Sequence, residues 1–177
     1  MENNSEKLKI ENGVNIIVCK PVNYNQINKI VGEYLSDHLS GIYVTLNKAH
    51  PSLIQELKNN KIDASKLYFI DSVCKKISKK AKEEVNCVDI DGVESLTELS
   101  LAISSVSHIG KFKFLIFDSI TTLLTYNNQE TAEKFISYLV NNLKSLDMSA
   151  IFISIDEEKS NKVISFISQF ADKIIYL

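Results

Sequence analysis

Phe112–Leu124 reads FKFLIFDSITTLL. The apolar run is short and nearly unbroken, and it stops at Asp118-Ser119. A run of that length and continuity reads as a strand covered on both faces, not as one with a wet side. Working outward, the same kind of run recurs at Val14–Cys19, Gly41–Leu46, Lys66–Asp71, Ala150–Ile155 and Lys173–Leu177. Between the runs lie helical stripes. Ile27, Ile30, Val31, Tyr34 and Leu35 follow the i, i+3, i+4 spacing of an amphipathic helix. Pro51 suits a helix's first turn, ahead of Leu53, Ile54 and Leu57. Ser95-Leu-Thr-Glu98 has capping-box spacing, with Leu96, Leu99, Ile103 and Val106 behind it. The longest stripe runs from about Gln129 to Leu146, through Ala132, Phe135, Ile136, Leu139, Val140 and Leu143. Val163, Phe166, Ile167 and Phe170 mark a last helix. Six strands alternating with helices predict an α/β fold, with a mostly parallel sheet and helices on both faces.

The chain has 177 residues, enough for one domain with a real core. We read 1–177 as that domain, with 1–12 as a flexible or partly ordered N-terminus. The opening MENNSEKLKIENG is polar and has no leader-type apolar stretch, and no run approaches the length of a membrane span. Three unpaired-looking cysteines, Cys19, Cys74 and Cys87, fit a reducing cytoplasmic setting. Neither they nor His38, His50 and His108 show metal-ligand spacing, so no metal site is expected. Net charge is −2, which gives no global attraction for nucleic acid or anionic lipid. All 20 basic residues are lysine, so the chain has no arginine finger or guanidinium clamp for phosphate.

In order and spacing the chain resembles a compact KaiC-like domain of the RecA superfamily, with an archaeal branch as the nearest pattern. The specific part is Asp91 onward: Glu94–Glu98, Phe117–Ser145 (FDSITTLLTYNNQETAEKFISYLVNNLKS) and the ending FADKIIYL. Before Asp71 the resemblance rests on order and spacing. It implies a three-layer RecA-like, P-loop-type fold. With the strands numbered as they occur, the sheet order would be 3-2-4-5-1-6.

The resemblance also implies three chemical stations. The phosphate loop, GxxxxGK followed by Ser or Thr, uses amides, a lysine and a hydroxyl around phosphate and magnesium. In this frame Lys20 and Asn25 replace the glycines, Gln26 the lysine and Ile27 the hydroxyl, and Pro21 removes an amide. The glutamate that orients water after the second strand is replaced by Asn47-Lys48. Asp118, with Ser119, stands where Walker B would help hold magnesium. The other reading of this pair is a cap on the turn after a buried strand. Lys20, Asn25, Gln26, Ile27, Asp118 and Ser119 therefore outline a vestigial nucleotide site.

Three other features have two readings each. Lys75–Lys82 holds five lysines, either a docking patch or a solvated helix face, since Glu83 and Glu84 follow. Cys19 is a reactive thiol beside Lys20 or a small buried hydrophobe. Tyr24 and Tyr126 line a residual cleft, or Tyr126 closes a turn. The leading expectation is a non-catalytic pseudo-ATPase with no cofactor, acting through a protein partner, whether a RecA-like paralogue or a second copy. The alternative is a domain that still binds a nucleotide (ATP with magnesium) or another anion. An ATPase with an atypical loop stands third.

Overall fold

Successive side chains on a covered strand enter opposite layers, and this chain uses both. The computed structural model describes residues 12–36, 39–73 and 86–177. Its strands are β1 (Val14–Cys19), β2 (Gly41–Thr45), β3 (Leu67–Asp71), β4 (Cys87–Asp89), β5 (Phe114–Asp118), β6 (Ser149–Ile155) and β7 (Lys173–Tyr176). The helices are α1 (Ile27–Ser36), α2 (His50–Asn59), α3 (Leu96–Ser107), α4 (Ile120–Tyr126), α5 (Gln129–Ser145) and α6 (Glu158–Ser168). A 3-10 turn over Pro21–Gln26 joins β1 to α1.

The sheet order is β4-β3-β2-β5-β6-β1-β7. Every described strand pair is parallel. For the six expected strands the order is the one implied by the resemblance. The expectation of six strands is corrected to seven by β4. That three-residue strand adds to the edge of β3, pairing Phe69 with Cys87 and Asp71 with Asp89. Its half-exposed residues lack the unbroken apolar run that marks the others.

One apolar layer holds Ile16, Val18, Ile42, Val44, Leu115, Phe117 and Phe152 of the sheet under α3, α4, α5 and α6. The other holds Ile17, Cys19, Tyr43, Phe69, Phe114, Ile116 and Ile153 under α1 and α2. Phe117 packs between Phe135 and Phe152, with ring centroids 5.8 Å away on each side. Each such buried ring contributes about 1.5–3 kcal/mol of transfer free energy. The first residue of β2 is glycine, Gly41, where the ring of Phe114 occupies the space a Cβ would need.

Helix starts follow local chemistry. Pro51 lies in the first turn of α2. Ser95 Oγ accepts from the Glu98 amide at 3.4 Å. The reciprocal half of the expected capping box is absent, because Glu98 Oε2 accepts from the Asp91 amide at 3.3 Å instead. Ser119 caps α4 by accepting from the Thr122 amide at 3.2 Å. Ile120–Tyr126 forms a separate short helix, α4, which has no counterpart among the expected elements. The expected stripe on α1 is buried at Ile27, Ile30, Val31 and Leu35. The Tyr34 side chain, the Lys75–Lys82 segment, Cys74, His38 and residues 1–11 lie outside what is described.

Candidate functional site

A carboxylate at the end of a buried strand needs donors, because an uncompensated charge is costly there. Asp118 is 2% exposed, at the carboxyl end of the central strand β5. Its donors come from three separate segments. Tyr24, in the turn after β1, donates its hydroxyl to Asp118 Oδ2. Tyr43 of β2 donates to the same oxygen at 2.8 Å. Asn47, just past β2, donates through Nδ2 to Oδ1 at 3.2 Å and also to the Tyr24 hydroxyl at 3.2 Å. The amides of Ser119–Thr122, natural candidates for this role, are not among these donors, and that of Thr122 goes to Ser119 Oγ. The Asp118–Ser119 peptide bond is cis.

Burial dominates the electrostatics of this cluster. Desolvation raises the Asp118 carboxyl above the usual carboxylate range, although the bonds from Tyr24, Tyr43 and Asn47 and the Lys48 charge act the other way. The Tyr24 and Tyr43 phenols are both pushed up, first by burial and then by the Asp118 charge. The raised phenols stay protonated and donate, and the Asp118 oxygens accept. Lys48 Nζ lies 2.6 Å from Glu56 Oε1 and 5.8 Å from the Tyr24 ring centroid. It covers the turn from outside.

The Pro21–Gln26 turn is closed on itself. The Lys20 amide donates to Leu177 O at 3.1 Å and the Asn23 amide to Lys20 O at 2.9 Å. The Ile27 amide donates to Tyr24 O. Pro21 has no amide hydrogen to offer. Lys20 and Asn25 are exposed, Gln26 is half-buried, and Ile27 is 2% exposed in the apolar layer under α1. The structure thus brings Asp118 to the turn through Tyr24. It leaves Lys20 and Asn25 in solvent and puts Ile27 in the core.

Tyr24, Tyr43 and Asn47 already use three of the roughly four acceptor positions of the Asp118 carboxylate. A phosphate cradle needs several amides aimed at one point, whereas here the Asn23 amide goes to Lys20 O, the Ile27 amide to Tyr24 O and the Lys20 amide to Leu177 O.

Cys19 ends β1 beside this turn and is fully buried. Burial, followed by the charges of Asp118 and Asp156, pushes its thiol up to about 11. That is the opposite of what a reactive thiol needs, so the core reading of Cys19 holds.

A cleft of about 710 Å³ opens nearby, at the carboxyl ends of β2 to β5, where open α/β sheets take ligands. Leu46, Asn47, Ile90, Val93, Thr125 and Tyr126 are among its walls. Tyr126 lines it, one of its two readings from the sequence, and is 54% exposed. Tyr24 does not line it, being engaged with Asp118. Tyr43 and Asn47 were not legible as partners of Asp118, because their contacts span 75 and 71 residues. A sequence signal did exist: a tyrosine inside a strand is a buried hydroxyl that must find an acceptor.

Comparison with known proteins agrees with the topology. The family model described as "ATPase: KaiC" matches residues 30–177. The matched stretch starts within α1, past β1 and the 21–26 turn. No curated protein matches the chain significantly. Among solved structures, the KaiC-like protein PH0186 from Pyrococcus horikoshii aligns at 15% identity with a TM-score of 0.67. The alignment covers 94% of this chain and 71% of PH0186. PH0321 from the same organism, solved in complex with an unknown peptide, aligns at 10% identity with a TM-score of 0.71. It covers 95% of this chain and 78% of that one. At such identities the structures establish the fold, and with the family match across most of the sequence they lead to one assignment: the chain belongs to the KaiC family of RecA-superfamily ATPase domains.

Proposed function

We propose that this chain is a non-hydrolysing member of its family that acts by holding a protein partner. One observation carries the reading: Asp118 is enclosed by Tyr24, Tyr43 and Asn47, donors of the chain itself. With Asn47 and Lys48 after β2, no carboxylate stands ready there to activate water. The start of the family match beyond the turn supports the same reading.

The partner is best sought at the cleft over β2 to β5. It is mixed in character, with apolar Leu46, Ile90 and Val93 beside polar Asn47 and Thr125. That composition suits an extended peptide segment, whose backbone needs hydrogen bonds and whose side chains need apolar seats. The peptide carried by PH0321 is in keeping with this idea. Among the described residues, no helix is long and apolar enough to cross a membrane.

The deciding experiment is a thermal melt with millimolar ATP and magnesium, run beside a phosphate-release assay. We expect no shift and no phosphate. A ligand at a hundred times its Kd adds about 2.7 kcal/mol, which is about 5–11 °C for a chain of this size. A magnesium-dependent rise of that order, lost in Asp118→Ala, would overturn the proposal and favour a nucleotide-responsive domain.

A further inference from the structure

We propose that His50, Cys87 and Asp89 form a binding site for a divalent cation of the zinc class, clasping the edge strand β4 to α2. Their ligand atoms all lie within 4.8 Å of one another, and all three residues are half-buried.

The fold assembles the site from three elements. Cys87 and Asp89 are two apart on β4, so both side chains leave the same face of the sheet. In register they lie beside Phe69 and Asp71 of β3. His50, the first residue of α2, covers that face with its ring centroid 6.2 Å from that of Phe69. The imidazole is oriented. Asp71, fully buried at the end of β3, accepts from the His50 amide at 2.7 Å and lies 2.9 Å from Nδ1. The other Asp71 oxygen accepts from the Val73 amide at 2.7 Å. With Nδ1 donating to this carboxylate, Nε2 is left with the lone pair, and the carboxylate makes that nitrogen a better ligand. Carboxylate–imidazole–metal arrangements use this same device.

The donor set selects the metal. Thiolate and imidazole favour zinc, cobalt or nickel over magnesium and calcium, which prefer all-oxygen shells. The Cys87 sulfur lies 3.6 Å from Asp89 Oδ1. Metal–ligand lengths near 2.3 Å for sulfur and 2.0–2.2 Å for oxygen give a tetrahedral edge of about 3.5–3.7 Å. That pair is therefore already spaced as two ligands. The wider separations need to close by about 1 Å, within the reach of side-chain rotation on a three-residue edge strand. Three protein ligands leave a fourth position for water. Binding requires the thiolate, so the thiol proton leaves to solvent as the metal enters.

Cobalt(II) is the probe, added to the full chain after chelator treatment. We expect one equivalent to bind, with an intense near-ultraviolet thiolate-to-metal absorption and release of a proton. Zinc should then displace cobalt and raise the melting temperature. Cys87→Ser should abolish the absorption, and Asp89→Asn and His50→Gln should weaken cobalt binding at least tenfold. Asp71→Asn, a positioning change, should weaken it about 10–100-fold while leaving the thiolate absorption of the saturated protein in place. Circular dichroism of each variant separates lost binding from lost folding. Cys74→Ser should leave the spectrum unchanged. The proposal fails if the parent shows no thiolate absorption with cobalt, if that absorption persists in Cys87→Ser, or if Cys74→Ser removes it.

Discussion

Replacing Asp118 separates two kinds of residue that a sequence cannot distinguish, one kept for its charge and one kept for its acceptors. In Asp118→Ala, Tyr43 is the donor that suffers, because it is 1% exposed and no water replaces the lost oxygen. Tyr24 and Asn47 lie nearer the surface and can be solvated. A stranded buried hydroxyl costs about 1–3 kcal/mol, and the vacated volume adds to it. We expect the alanine variant to lose about 2–3 kcal/mol, or about 4–12 °C in Tm for a chain of this length. Asp118→Asn behaves differently. Its carbonyl can accept from both tyrosines, and Asn47 can turn its amide to present an oxygen to the new NH2 group. The asparagine variant should stay within about 1 kcal/mol of the parent at neutral pH.

The pH dependence gives a second, independent reading of the same variant. The folded Asp118 pKa is raised, chiefly by burial. The folded state therefore takes up the proton more readily than the unfolded chain. The resulting stability is fully present below the unfolded pKa, near 3.8, and is lost as pH rises through the folded value. Asparagine has no such term, so its stability relative to the parent should improve from pH 4 toward pH 7. Urea melts of the parent and both variants at several pH values measure all of this. If alanine matches the parent, or if asparagine costs as much as alanine, the network is not what holds Asp118.

Three further outcomes follow from the packing. Tyr24→Phe removes one donor to Asp118 and should cost about 1–2 kcal/mol in a denaturant melt. It should not create a response to ATP and magnesium, because the turn's amides remain engaged. Gly41→Ala drives a methyl group into the Phe114 ring and should destabilise by about 1–3 kcal/mol, read as a lower urea midpoint. Cys19 should resist alkylation at pH 8. With its pKa near 11, roughly one thiol in a thousand is ionised, against about a quarter for an ordinary cysteine, and mass spectrometry of the labelled protein reports the difference.

What the sequence reveals divides along physical lines. The long stripe of α5 and the unbroken runs of β1, β2 and β5 each bury a whole face, so their periodicity survives in the sequence. β4 is short and half-exposed, and α4 has only seven residues, so neither writes two full periods. The missing phosphate-loop residues are visible because that motif is local, fixed in spacing by one turn of backbone. What replaces the motif is not local. Tyr24, Tyr43, Asn47 and Asp118 meet only after the sheet has formed, as do His50, Cys87 and Asp89. Spacing along the chain carries no trace of either set. Even so, the buried tyrosine on β2 and the carboxylate ending β5 each announce an unmet need.

The closed turn between β1 and α1 also bears on whether the chain could acquire a phosphate loop by single substitutions. Ile27→Ser would place a hydroxyl in the apolar layer without a phosphate or metal to meet it. Asn25→Gly or Lys20→Gly would loosen the turn while its amides still pointed at their present acceptors. Gln26→Lys would add a charge with no anion to receive it. Each step toward the phosphate-loop pattern weakens what exists, and none yields a cradle until the rest are made. The turn therefore resists stepwise conversion into a phosphate loop.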